Sequence, residues 1–312
     1  FLSGNGPLVA VLREALVRDE IKRCKGKITK ITSKRKVAAF IQNIHHFRDT
    51  YLPPSEQVPA EKVTIFDEAQ RAWTKEQTAK FMLKRHVPSW NMSEPEFLIS
   101  VMDRHQDWAV IICLIGGGQE IHTGEAGLLA WFDALRNHFP HWNVYVSPQI
   151  SDVEYTQGKP LESLFMGLHL YQEKKLHLSV SLRSFRNEKV SAFVKSLLDE
   201  NLPIAQQLYS ELSLNYPIVI TRSLEKAKQW VQNQSRGTER YGLISSSGAK
   251  RLRQFGIWVQ NDIQAENWFL NDKEDVRSSY FLEETATEFD IQGLEIDWAI
   301  VAWDADFRIE KG

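Results

Sequence analysis

Eight short apolar runs punctuate this chain, and helix-forming stretches separate them. The runs are Phe1–Ser3, Val63–Phe66, Val110–Ile115, Trp142–Val146, Leu176–Ser181, Pro217–Thr221, Tyr241–Ser245 and Trp298–Ala302. Between them, Leu8–Val17, Lys75–Arg85, Ala126–His138, Val190–Asp199 and Leu224–Asn233 carry helical patterns. Strands alternating with helices build parallel sheets covered by helices, so the chain is expected to be α/β. The segment Ser151–Lys175 mixes Pro, Gly and polar residues and marks the expected domain boundary, giving lobes over 1–160 and 161–312. Ile257–Tyr280, rich in Trp, Asn and Asp without clear periodicity, reads as a loop or insertion in the second lobe.

The 312 residues with 43% hydrophobic content suffice for two cores. A net charge of −2 gives no global field toward a polyanion, so any nucleic-acid surface must be local. Two cysteines, Cys24 and Cys113, are too few for a disulfide framework or a cysteine-based zinc site. Cys113 sits in an apolar run and reads as a small buried hydrophobe. With no bilayer-length apolar segment and no visible signal peptide, the expected setting is reducing and cytoplasmic, with no membrane partner. The chain opens on Phe1 in a strand-like run and reads as a fragment.

The run Val63-Thr64-Ile65-Phe66 ends in Asp67-Glu68 and passes at once into a polar, helix-forming segment. A buried parallel strand delivers acids in this way to the carboxyl edge of a sheet, where ligands bind. Of adjacent acids there, one can face hydrated magnesium while the next orients an attacking water. The competing reading makes Asp67 a helix N-cap and puts Glu68 in the first turn.

Further candidates follow along the chain. Gly116-Gly117-Gly118-Gln119-Glu120-Ile121 follows the next strand, with glycines that permit close ligand approach. A flexible turn is the plainer account, and the spacing fits a dinucleotide fingerprint poorly. Arg183 and Arg186 emerge from a strand where a second lobe should begin, suited either to a transferring phosphoryl group or to solvent. Gln292-Gly293 forms a tight turn before the last strand, with Glu295 on the same loop. The basic run Lys22–Lys36, including Lys34 and Arg35, fits a patch tracking a nucleic-acid backbone or equally a solvated face. Ser246 and Ser247 sit between a strand and a helix start, where hydroxyls and amides suit a phosphate, a cap or both. The nine histidines show no metal spacing.

Together and in this order the pieces resemble a superfamily 1 helicase-type motor. Asp67-Glu68-Ala69-Gln70 is similar to the Walker B motif, Gly118-Gln119 to the glutamine motif, and Leu182-Arg183-Ser184 to the arginine motif of a second RecA-like lobe. More closely, the wording resembles the Schlafen group 3-like DNA/RNA helicase domain, a family of P-loop ATPases. Phe1–Leu8, Asp67–Trp73, Gly116–Ile121, Ser246–Leu252 and Gln292-Gly293-Leu294-Glu295 carry that likeness, which spans essentially the whole chain. It implies two RecA-like parallel-sheet lobes, ATP and magnesium as cofactors, and single-stranded or unwinding nucleic acid as partner, DNA in preference to RNA. A partner nuclease or defence component is a further implication. It assigns Asp67 to magnesium, Glu68 to the attacking water, Gln119 to the γ-phosphate and Arg183 to transition-state charge. Gly293 and Glu295 would link the nucleotide cleft to the nucleic-acid track.

One departure is large. No Gly-x-x-x-x-Gly-Lys-Ser/Thr occurs among these residues, so the first lobe is expected to lack its Walker A strand, loop and helix. Without that loop the triphosphate loses its main anchor, and the 312 residues alone are expected to be inactive. The competing class is a non-catalytic nucleic-acid-binding or scaffold protein with a degenerate NTPase fold.

Overall fold

A computed structural model describes residues 1–87, 90–116, 127–151, 161–178, 187–213, 216–259 and 262–308. Its first sheet holds four parallel strands, β1 (Leu2–Ser3), β2 (Gln42–Asn43), β3 (Val63–Phe66) and β4 (Val110–Cys113), in the order β2-β1-β3-β4. Parallel neighbours need crossover connections, and helices supply them. Helices α1 (Gly6–Arg23) and α2 (Lys30–Phe40) lead from β1 to β2, α3 (Ile44–Tyr51) from β2 to β3, and α4 (Lys75–Lys84) with α5 (Glu94–Met102) from β3 to β4. Helix α6 (Gly127–His138) precedes β5 (Asn143–Val146), which pairs in parallel with β6 (His169–Gln172) beyond the short α7 (Leu161–Phe165).

Local chemistry fixes the ends of these helices. Asn5 caps α1 by accepting the Leu8 amide at 3.0 Å, Pro7 occupies its first turn, and Lys22 and Arg23 face the negative end of its dipole. Ser93 and Glu96 form a reciprocal capping box on α5.

The first core gathers Phe66, Met82, Phe97, Leu98, Met102, Trp131 and Phe132, and the β5–β6 pair joins it through Val146, Val144 and Leu170. This core therefore extends past residue 160, to Leu170. Register places Thr64, Phe66, Ile111 and Cys113 on the core face of β3 and β4. The opposite face is open: Val63, Val110 and Ile112 are 46%, 42% and 41% exposed. Among the described residues, the outer edge of β4 has no partner strand.

Helices α8 (Asn187–Leu198), α9 (Leu202–Leu212) and α10 (Leu224–Gln234) precede a three-stranded parallel sheet. Its strands β7 (Tyr241–Ser245), β8 (Thr285–Thr287) and β9 (Trp298–Ala302) lie in the order β8-β7-β9. Helix α11 (Ala265–Leu270) and the short α12 (Glu288–Ile291) complete this part. Val11 of α1 packs with Ala265, Trp268, Phe269 and Ala286, so α1 joins the two parts. Arg18 of α1 strengthens the junction, donating to Leu270 O at 2.7 Å and to Asn271 Oδ1 at 2.6 Å.

All the sheets are parallel, as the α/β expectation required. Several local expectations need correction. Pro217–Thr221 forms no strand: residues 217–220 are irregular and Ile220 is 96% exposed, and among the described residues no strand pairs with them. Lys174–Leu176 is a 3-10 turn, and the predicted strand beyond residue 178 lies outside the described residues. The expected loop Ile257–Tyr280 contains α11, whose Trp268 is fully buried. Among the described residues, no helix is long and apolar enough to cross a membrane.

Candidate nucleotide site

Strand β3 delivers Asp67 and Glu68 to the carboxyl edge of the first sheet, with Ser3 at the end of neighbouring β1. The edge is held by backbone bonds from Asp67 N to Leu2 O, Leu114 N to Phe66 O and Ala69 N to Leu114 O. From beneath, the Trp131 indole donates to Ala69 O at 2.8 Å.

Asp67 is not the N-cap that the plainer reading required. Its Oδ2 accepts from the Ser3 hydroxyl at 3.1 Å. Glu68 instead precedes a 3-10 turn over Ala69–Arg71 and makes no side-chain cap bond. Its φ of 52° lies in the left-handed region. A non-glycine residue there costs about 1–2 kcal/mol and recurs where a side chain must be aimed. The half-buried Glu68 carboxylate accepts from Gln70 Nε2 at 2.6 Å, and Gln70 Oε1 accepts from Gly116 N at 3.4 Å. Gln70, 8% exposed, thus ties the acid to the end of β4. A methyl group at Gly116 would stand 3.6 Å from Gln70 Nε2 and 3.9 Å from Glu68 Oε2, in ordinary contact with both, which places Gly116 beside the acid.

This donor set suits magnesium, which keeps several waters and takes one or two carboxylates plus phosphate oxygens. Asp67 is the residue at this edge that would hold such an ion, with waters completing its shell; among the described residues there is no cluster of three metal-ligating side chains. Cys113, on the core side of the edge strand, is no thiolate ligand: burial pushes its thiol up to about 12. Gly118, Gln119, Arg183 and Arg186 lie outside the described residues.

Behind the acids lies a cluster that no motif announces. Arg48, fully buried, places Nη1 3.3 Å from Glu94 Oε1 and stacks its guanidinium 4.1 Å from the Phe81 ring centroid. Glu94 Oε2 accepts from Trp73 N at 3.0 Å, fixing the chain just beyond the Asp67–Arg71 turn. Such a pair has no sequence signature, because its members come from different helices.

Gly293 adopts φ 76°, and a methyl group there would press to 3.2 Å from Asn5 Nδ2. Asn5 Nδ2 donates to Gln292 O at 2.5 Å, so this turn meets the start of α1. Exposed Glu295 follows on the same loop. Ser246 and Ser247 follow β7, but the Ser247 amide and hydroxyl both donate to Glu288, at 2.8 and 2.6 Å. Burial raises the Glu288 carboxyl, yet these two donors outweigh it and hold it below the usual range.

The basic run folds as the end of α1, a turn and α2. Three α1 acids neutralise part of it: Glu14 meets Lys30 and Lys34 as well as Arg18, Asp19 meets Arg23, and Glu20 meets Lys36 and Ser33. Lys34 stands 3.8 Å from Glu14, whereas exposed Arg35, Lys22, Lys25 and Lys27 have no acidic partner among the described residues. Among the described residues, no hydrogen bond or ion pair joins α2, Ser247 and Asp67 to one another.

A family model described as "Schlafen group 3, DNA/RNA helicase domain" matches residues 1–312. No curated protein and no solved structure matches the chain.

Proposed function

Because the chain belongs to the Schlafen group 3 DNA/RNA helicase domain family, we propose that it forms most of a nucleic-acid-dependent ATP-hydrolysing motor. The observation that carries this reading is the pair Asp67-Glu68 at the carboxyl edge of β3, with Glu68 in the left-handed region and restrained by Gln70 beside Gly116. The edge of β4, unpaired among the described residues, and the exposed face with Val63, Val110 and Ile112 fit a further strand and helix bearing the phosphate loop.

In this reading Asp67 holds the hydration shell of a magnesium ion. Glu68 orients the attacking water and accepts its proton, while Gln70 restrains the carboxylate against Gly116. Gln119 contacts the γ-phosphate and Arg183 stabilises charge from the second lobe. Magnesium, when bound, supplies the positive charge that neutralises the transferring phosphoryl group. Arg35, Lys22, Lys25 and Lys27, which have no acidic partner among the described residues, track a single-stranded backbone together with Lys34, DNA in preference to RNA, and Ser246 and Ser247 add contacts once Glu288 yields. A nuclease or defence component as working partner is part of the same proposal.

Magnesium-dependent ATP turnover stimulated by single-stranded oligonucleotide, in a chain that carries both these residues and a phosphate loop, tests it. Absence of the phosphate-loop motif from residues 1–312 favours the second reading, a nucleic-acid-binding scaffold without hydrolysis. Oligonucleotide binding without turnover in that longer chain would select the scaffold.

A further inference from the structure

We propose that Ser3 and Asn5 are positioning residues that couple Asp67 to the Gln292-Gly293 turn. The nucleotide site and the second part of the chain would then sense each other. This inference rests on the functional reading above and deepens it.

Three hydrogen bonds form an unbroken chain. The Ser3 hydroxyl donates to Asp67 Oδ2 at 3.1 Å and accepts the Asn5 amide at 3.2 Å. The Asn5 side chain then works at both ends. Its Oδ1 caps α1 at Leu8 N, 3.0 Å away, and its Nδ2 donates to Gln292 O at 2.5 Å. Ser3 is 1% exposed, so water does not compete for its single proton. Gly293 completes the fit: its left-handed turn brings residue 293 against Asn5 Nδ2 and Leu8 Cδ2, where a side chain would stand 3.2 and 3.6 Å from those atoms.

If Asp67 Oδ2 turned from Ser3 to hold magnesium, the Ser3 side chain would lose the bond that fixes its rotamer, and a change of that rotamer moves the oxygen that accepts Asn5 N. Asn5 begins an 18-residue helix, so a shift of the cap moves α1 as a body. That body also carries Val11 and Arg18, which dock on α11. By linkage, a ligand that moves the Gln292-Gly293 turn must change affinity at Asp67 by the same factor.

Two substitutions separate coupling from plain helix capping. Asp caps as well as Asn but has no amide donor, so Asn5→Asp keeps the bond to Leu8 N and loses the bond to Gln292 O. Ser3→Ala removes the relay hydroxyl, and Ser3→Thr restores one. In a chain that includes a phosphate loop, affinity for a fluorescent ADP with magnesium is measured with and without saturating oligodeoxythymidine. Amide exchange over residues 289–296 is followed in the same samples. The unaltered protein should show an affinity change of roughly 5- to 150-fold on adding oligonucleotide. Asn5→Asp and Ser3→Ala should bring that ratio to about one, with Ser3→Thr near the unaltered value. Asn5→Asp should also speed exchange at Gly293 while α1 stays protected. If Asn5→Asp matches the unaltered protein in both measurements while Asn5→Ala is destabilised, the side chain is a cap alone and the coupling is overturned. If ADP binds and Asp67→Ala abolishes it, yet oligonucleotide leaves affinity unchanged, the site stands and the coupling falls. If neither ligand binds, the functional reading fails and takes the coupling with it.

Discussion

Arg48 Nη1 lies 3.3 Å from Glu94 Oε1, with both side chains withdrawn from solvent, and Glu94 Oε2 accepts from Trp73 N just past the turn that carries Asp67 and Glu68. Removing one member strands the other charge in the core. Arg48→Met is therefore expected to cost about 3–5 kcal/mol in denaturant unfolding. Adding Glu94→Gln keeps an acceptor for Trp73 N but removes the stranded charge, so the double variant should be the more stable of the two. Equal losses in single and double variants would show that the pair is not electrostatically linked.

The same cluster predicts a pH dependence. Burial, and after it the Arg48 guanidinium, hold the His45 imidazole below its ordinary value, and Arg48 Nη2 donates to His45 Nδ1 at 3.0 Å. Protonated His45 would aim a donor at a donor. The unfolded chain therefore binds this proton more readily, and stability is lost as pH falls from about 6.5 toward the lowered folded value. Differential scanning calorimetry should show the melting-temperature advantage of the unaltered protein over His45→Gln shrinking from about pH 7.5 to about pH 5. An advantage that grows on acidification would contradict the assignment.

Glu288 occupies the two donors of Ser247. Glu288→Gln removes a negative charge and loosens that grip, so oligonucleotide affinity should rise several-fold at low salt. Arg35→Ala should lower the slope of log affinity against log salt by about 0.7, one single-strand phosphate contact. Unchanged affinity in the first variant would take Ser246 and Ser247 out of the nucleic-acid surface. An unchanged slope in the second would take Arg35 out.

Residues 1–312 carry no phosphate-loop motif, so the purified chain is expected to show no measurable ATP hydrolysis and only weak nucleotide binding. Magnesium-dependent turnover that Glu68→Gln abolishes would overturn this expectation.

Legibility from sequence followed how local the signal was. The runs Val63–Phe66, Tyr241–Ser245 and Trp298–Ala302 coincide with β3, β7 and β9, because a parallel strand is written as a continuous apolar run. Helix α2 was hidden in a charge run: its buried face is only Ser33 and Val37, held by ion pairs to α1 that spacing does not reveal. Strand β6 lay in the stretch taken for a boundary, since it is a strand only through its partner β5. At the candidate site Asp67 and Glu68 were legible as acids at a strand end. The left-handed turn at Glu68 was not, since no residue type there demands it, nor was the restraint by Gln70, whose other partner Gly116 is 46 positions away. Ser3 and Asn5 were visible only as part of a phrase, and their bonds to Asp67 and Gln292 join residues 64 and 287 positions apart.

The most direct test of the central claim is ATP turnover by Glu68→Gln in a chain that includes a phosphate loop, measured together with ATP binding and melting temperature. Gln keeps the size and a hydrogen bond but loses the charge that polarises water. Turnover should fall by on the order of 10²–10⁴ with ATP affinity and melting temperature nearly unchanged. Undiminished turnover in a folded, ATP-binding Glu68→Gln protein would contradict the catalytic role of this residue.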